Sequence, residues 1–102
     1  MKTKEDLIKE TPELGIAIKT IVEKLKPVRV VLFGSRARGD NRPDSDFDVC
    51  VLLEEKNRMA RDVRVELVKN KCFLALDFIF CTNMASDSNI AKHIKQDGVE
   101  LY

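Results

Sequence analysis

The chain has 102 residues, 44% hydrophobic and 34% charged, which is the composition of one small globular domain over residues 1–102, not of disorder or low complexity. Its 18 Lys and Arg against 17 Asp and Glu leave a net charge of +1, so a dedicated nucleic-acid binder with its strong basic excess is not expected. No apolar run approaches the roughly 20 residues of a membrane span, and the polar start Met1-Lys2-Thr3-Lys4-Glu5-Asp6 has no signal core, so a cytoplasmic place of work is expected.

The predicted elements alternate. Thr3 can cap a short helix running to about Lys9. Thr11-Pro12 restarts it, with Thr suited to the cap and Pro to the first helical position. Leu14, Ala17, Ile18, Ile21, Val22 and Leu25 then share one helical face, and Pro27 stops that helix. Val28 to Phe33 reads as a β-branched strand ended by Gly34. Residues 34–45, GSRARGDNRPDS, are polar and rich in turn residues. Asp46 to Leu53 is the second strand. Asn57 to about Lys69 is a helix with Met59, Val63 and Leu67 on one face. Phe73 to Cys81 is the third strand, apolar but for Asp77. Ser86 or Ser88 caps a last helix carrying Ile90 and Ile94, and Gly98 stands where its C-terminal cap belongs. The fold class expected is α/β (α+β): a small sheet with helices packed on it.

Three carboxylates carry the chemical signal. Asp46 and Asp48 stand two apart on a strand, so they share a face. Phe47, Val49, Val51 and Leu53 take the opposite face and suit a core. Asp77 interrupts an apolar strand, where a carboxylate needs a partner. Placed together, three like charges repel unless a cation joins them. One or two Mg²⁺ would do so, and such ions also take phosphate oxygens, so a phosphate-bearing ligand is implied. Gly34-Ser35-Arg36-Ala37-Arg38-Gly39 supplies the other half. It follows a strand and can open a short helix, with a glycine for close backbone approach and two arginines to neutralise charge. It is neither a Walker A loop nor G-x-G-x-x-G. Taken singly, Gly34-Ser35 is an ordinary turn, Asp46-x-Asp48 a solvated strand start and Asp77 a salt-bridged carboxylate. Their combination, Gly-Ser, ten residues, Asp-x-Asp and a third Asp on a later strand, is what points to a site.

That pattern, GSRARGDNRPDSDFDVCVL with LDFIF downstream, resembles the minimal nucleotidyltransferase family of the DNA-polymerase-beta-like superfamily. The likeness runs from about Val28 to Phe80, and the last helix with its tail Gly98-Val99-Glu100-Leu101-Tyr102 also looks like the family's ending; the fold it implies is a mixed sheet with helices packed on it, the polymerase-beta-like palm. The resemblance implies that Gly34 and Ser35 hold the triphosphate, with Arg38 and Arg36 as phosphate contacts. It implies that Asp46 and Asp48 bind Mg²⁺ and that Asp77 completes the metal site and helps deprotonate an acceptor hydroxyl. The reaction implied is attack of a hydroxyl on the α-phosphorus of a nucleoside triphosphate, ATP by family default, with pyrophosphate leaving.

Larger superfamily members add a helical domain for the acceptor, and this chain is expected to lack it. The resemblance therefore implies a helical HEPN-type partner protein, an RNase toxin, with this chain as antitoxin transferring AMP to a tyrosine hydroxyl. Two alternatives stay open: an antitoxin that neutralises by binding alone, and a nucleotidyltransferase acting on a small molecule. Cys50, Cys72 and Cys81 sit in apolar runs without a C-x-x-C pair and read as reduced core residues. His93 reads as a solvated helix residue, and the run Lys56 to Arg61 as a solvated helix start.

Overall fold

The computed structural model describes residues 2–54, 60–82 and 89–102. Helix α1 spans Lys4–Glu10, and its start is a full capping box. Asp6 N–H donates to Thr3 Oγ1 and Thr3 N–H donates to Asp6 Oδ2, both at 3.2 Å, so two otherwise orphaned helix donors are satisfied. Helix α2 spans Pro12–Leu25 with Pro in its first turn. Thr11 makes no side-chain cap there. Its N–H instead closes α1 on the Leu7 carbonyl at 2.9 Å, so the residue expected as a cap serves as the hinge between two helices. Lys26, in the left-handed region at φ 48°, ends α2 ahead of Pro27.

Four strands form one sheet in the order β3-β2-β1-β4. Strands β1 (Arg29–Phe33) and β2 (Phe47–Leu52) are antiparallel, and β4 (Val99–Glu100) lies antiparallel on β1's other side. Strand β3 (Leu76–Cys81) runs parallel to β2. A parallel neighbour needs a crossover, and α4 (Ala60–Lys69) lies between them in the chain. The mixed sheet expected from sequence is thus present, with β4 as an addition. Two residues are too short to show a strand period, and β4 exists only because β1 offers it an edge.

Strand alternation splits the sheet into two faces. Val30, Leu32, Phe47, Val49, Val51 and Leu76 point to one, where they meet Leu14, Ala17, Ile18, Ile21 and Leu25 of α2 and Val63 and Leu67 of α4 in one buried core. All four second-strand residues assigned to the core are there. The opposite face carries Val31 and Phe33 of β1, Asp48 and Cys50 of β2, and Asp77, Ile79 and Cys81 of β3, as the cross-strand register requires. Helix α5 (Asn89–Asp97) packs against β1. Gly98 follows it, and a Cβ there would press on Ile94 O and Val31 Cγ1. Gly98 N–H closes the last turn of α5 on Ile94 O at 2.8 Å, so it stands at the expected helix end, but without a left-handed φ; the missing side chain spares that turn and Val31.

The third strand begins later than expected. Phe73 is 70% exposed, and its N–H is taken by Glu13 Oε2 at 2.9 Å, away from the sheet. The chain first turns out of α4 through Lys71 at φ 61°, and pairing with β2 starts only at Leu76. The expected helix start at Asn57, Met59 and most of the Lys56 to Arg61 run lie outside the described residues, as do the Ser86 and Ser88 caps. No described helix is long and apolar enough to cross a membrane.

Candidate active site

The end of β1 and the start of β2 and β3 bring the motif residues to one corner of the second face. Phe33 pairs with Asp48, and Asp48 pairs with Asp77. Asp46 stands two residues before Asp48, just ahead of β2. Asp46 and Asp77 are exposed, and Asp48 between them is half-buried. Burial pushes the Asp48 carboxyl above its ordinary range, the charges of Asp77 and Asp46 push it further, and Arg38 draws it part of the way back. Asp48 therefore feels both other carboxylates expected from sequence, although 28 residues lie between Asp48 and Asp77 in the chain and only the parallel pairing makes those two neighbours.

Gly34 leaves β1 at φ 78° and opens the single helical turn α3 (Ser35–Arg38). Its carbonyl accepts from Ala37 N–H at 3.1 Å and Arg38 N–H at 3.0 Å, and Gly39 N–H closes the turn on Ser35 O at 2.8 Å. A Cβ on Gly34 would overlap Asp48 Oδ2. The turn backbone thus lies directly against the middle carboxylate. Only glycine meets both conditions, a positive φ and no side chain at the contact.

Both arginines that the resemblance gives as phosphate contacts also bond protein groups. Arg38 donates from Nε to Asp40 Oδ2 at 3.2 Å and from Nη1 to Asp97 Oδ2 at 3.1 Å, and these two bonds hold its guanidinium more firmly charged. Arg36 turns to the loop instead. It donates from Nε to Ser45 O at 3.1 Å and from Nη2 to Pro43 O at 3.0 Å, and its guanidinium lies over the Phe47 ring, 4.5 Å from the centroid. Sequence reasoning missed Asp97, 59 residues from Arg38. Nothing local marks it, since an acid at a helix C-terminus is ordinarily unfavourable and its reason lies in another element.

Cys50 lies behind Asp48 on the same face, its Sγ 4.0 Å from Cys81 Sγ. Burial raises its thiol pKa to about 12, with the neighbouring Cys81 as the second cause. It packs as a small apolar side chain, as expected. His93 is exposed on α5, also as expected.

The donor set suits a hard cation. Asp48 and Asp77 on one face, with Asp46 just ahead of β2 and Asp48 disfavoured as an anion by burial and then by the other two, carry the excess negative charge that Mg²⁺ relieves, and carboxylate oxygen is the donor such an ion prefers over the nearby Cys50 sulfur. Among the described residues no three such side chains stand within chelating distance as they lie, so ion binding would draw the carboxylates together.

The family model described as polymerase beta, nucleotidyltransferase matches residues 17–102, and the chain belongs to that family; it is a nucleotidyltransferase. A relative from Methanocaldococcus jannaschii, provisionally named protein adenylyltransferase MJ0141, is 34% identical over 74 residues, covering 72% of this chain and 74% of its own. A chain in a crystal structure of a toxin–antitoxin complex with AMP-PNP superposes with a TM-score of 0.66 at 22% identity, over 88% of this chain and 72% of that one. Another, from the complex of the tri-AMPylated Shewanella oneidensis HEPN toxin with its MNT antitoxin, gives 0.53 at 17% identity over 86% and 71%. At those identities the structural likenesses speak for the fold.

Proposed function

We propose that the protein transfers AMP from ATP to a hydroxyl of a HEPN-type partner protein in the cytoplasm, and so acts as the antitoxin of a toxin–antitoxin pair. The observation that carries this reading is the Gly34 backbone seated on Asp48, with Asp77 in register beside it. A glycine turn that can receive phosphate beside carboxylates that can hold a cation supports nucleotidyl transfer. The name of the Methanocaldococcus relative and the contents of the two toxin–antitoxin complexes support the choice of AMP and of a protein acceptor.

Asp46, Asp48 and Asp77 would hold Mg²⁺, which when bound offsets the triphosphate's charge and eases deprotonation of the acceptor hydroxyl. The chain's own residues do the positioning. The Gly34 backbone and the Ser35 hydroxyl receive the phosphates. Arg38, beside Asp48, offers positive charge to the departing pyrophosphate once it is released from Asp40 or Asp97. Asp77, at the exposed edge of the cluster, takes the acceptor proton in this reading.

The test is label transfer from ATP labelled at the α-phosphate, with Mg²⁺ and a purified HEPN-type partner. The expected result is label on the partner, lost when Asp46→Asn replaces the native chain. A stable, unlabelled complex that still silences the toxin would replace this reading with neutralisation by binding alone.

A further inference from the structure

Ten residues separate Ser35 from Asp46, and residues 39–46 contain no helix or strand. Two halves of a site joined by such a loop need something to hold their distance. Three contacts of one side chain do so. Arg36 follows Ser35 directly, and its guanidinium donates to the carbonyls of Pro43 and Ser45 and stacks on the Phe47 ring. Ser45 precedes Asp46 and Phe47 follows it, so Asp46 lies between two residues that Arg36 holds. The loop is stiffened from within as well: Arg42 N–H donates to Ser45 Oγ at 2.9 Å and Ser45 N–H to Arg42 O at 3.0 Å. Phe47 is 4% exposed, so the ring under the guanidinium is itself anchored in the core.

We propose that Arg36 is a positioning residue for Asp46, clamping the Asp46 loop to the Gly34-Ser35 turn, and not a phosphate contact. This rests on the reading of Asp46 as a carboxylate of the transfer site. A planar fork makes two bonds at fixed angles and stacks on a ring at once, whereas a lysine ammonium does neither. The two roles therefore respond differently to substitution. A phosphate contact would tolerate Arg36→Lys, which keeps the charge, better than Arg36→Gln. A clamp would be lost equally in both.

Three measurements on the full chain separate the roles. The first is amide hydrogen exchange over residues 40–47 without nucleotide or metal. The second is binding of Mn²⁺ alone, titrated by its paramagnetic signal. The third is binding of a non-hydrolysable ATP analogue without divalent ion. The clamp predicts faster exchange in that loop and Mn²⁺ affinity weakened about tenfold, the size seen for residues that orient metal-binding carboxylates. It predicts both effects alike in Arg36→Lys and Arg36→Gln, with analogue affinity nearly unchanged. Phe47→Leu, which removes the ring under the guanidinium and keeps an apolar side chain in the core, should speed loop exchange in the same segment if the arginine variants fold poorly. Unchanged loop exchange in the variants, or an analogue affinity that falls in Arg36→Gln and is spared in Arg36→Lys, overturns the clamp. Absence of label transfer by the unsubstituted protein instead overturns the proposed function, and the exchange result stands apart from it.

Discussion

Gly34 and Asp48 are the pair on which the corner is built. Substitution of Gly34 by alanine adds a methyl that overlaps the Asp48 carboxylate at a backbone angle alanine rarely adopts. The strain alone is about 1–3 kcal/mol. The expected outcome for Gly34→Ala is lost transfer together with a lowered melting temperature; full activity would show that the turn backbone does not need to meet Asp48. Asp48 itself carries a cost in stability. Its carboxyl titrates above the ordinary range, mainly through burial and then through Asp77 and Asp46, so the folded chain binds that proton more readily than the unfolded one. The ionised form at neutral pH is thus a net penalty, relieved as pH falls through the raised folded pKa and fully gone below the unfolded value of about 3.9. Without divalent ions, Asp48→Asn should therefore melt higher than the native chain at pH 7, with the gap narrowing as pH falls through the raised range of the folded carboxyl. A lower melting point for the variant at pH 7 would mean that Asp48 is held by favourable contacts instead.

Among the elements, the helix starts show how far local chemistry reaches. Thr3 and Asp6 form their reciprocal cap from neighbouring residues alone, so Thr3→Ala should cost about 1 kcal/mol in denaturant unfolding with activity retained. Thr11-Pro12 has equally good local credentials, yet Thr11 caps nothing with its side chain. The turn from α1 into α2 uses its backbone first. Strand β3 teaches the same lesson at its start. Phe73, Leu74 and Ala75 have the composition of a strand, but Glu13 of α2 captures the Phe73 N–H and β2 begins its pairing with Leu76. An exposed Phe73 then predicts that Phe73→Ala changes folding stability by no more than about 0.5 kcal/mol, which the same unfolding experiment reads.

At the scale of the molecule, one sheet serves two purposes. Its helix-covered face is the core, and its other face bears the carboxylates beside α5. Leu32 has 0% exposure in the strand that pairs with both β2 and β4, so Leu32→Ala should lose about 2–5 kcal/mol, far more than Phe73→Ala. Equal losses at the two positions would contradict this division between core and surface.

What the amino-acid sequence determined by itself was whatever depends on neighbours in the chain. Strand alternation sent Phe47, Val49, Val51 and Leu53 inward and Asp48 and Cys50 to the other face, because successive side chains of a strand point opposite ways. The spacing of Gly34, Ser35, Asp46 and Asp48, with Asp77 beyond, named the residues of the corner. Tertiary structure alone decided which of them meet. The parallel pairing of β3 on β2 set Asp77 beside Asp48. The backbone of Gly34 came to rest on the Asp48 carboxylate. Arg36 spent its fork on Ser45 and Pro43 carbonyls, and Arg38 found Asp97 across the fold. Carbonyl oxygens are present at every residue and so leave no mark in a sequence, and a long side chain with several rotamers has its partner chosen only when the elements around it have packed.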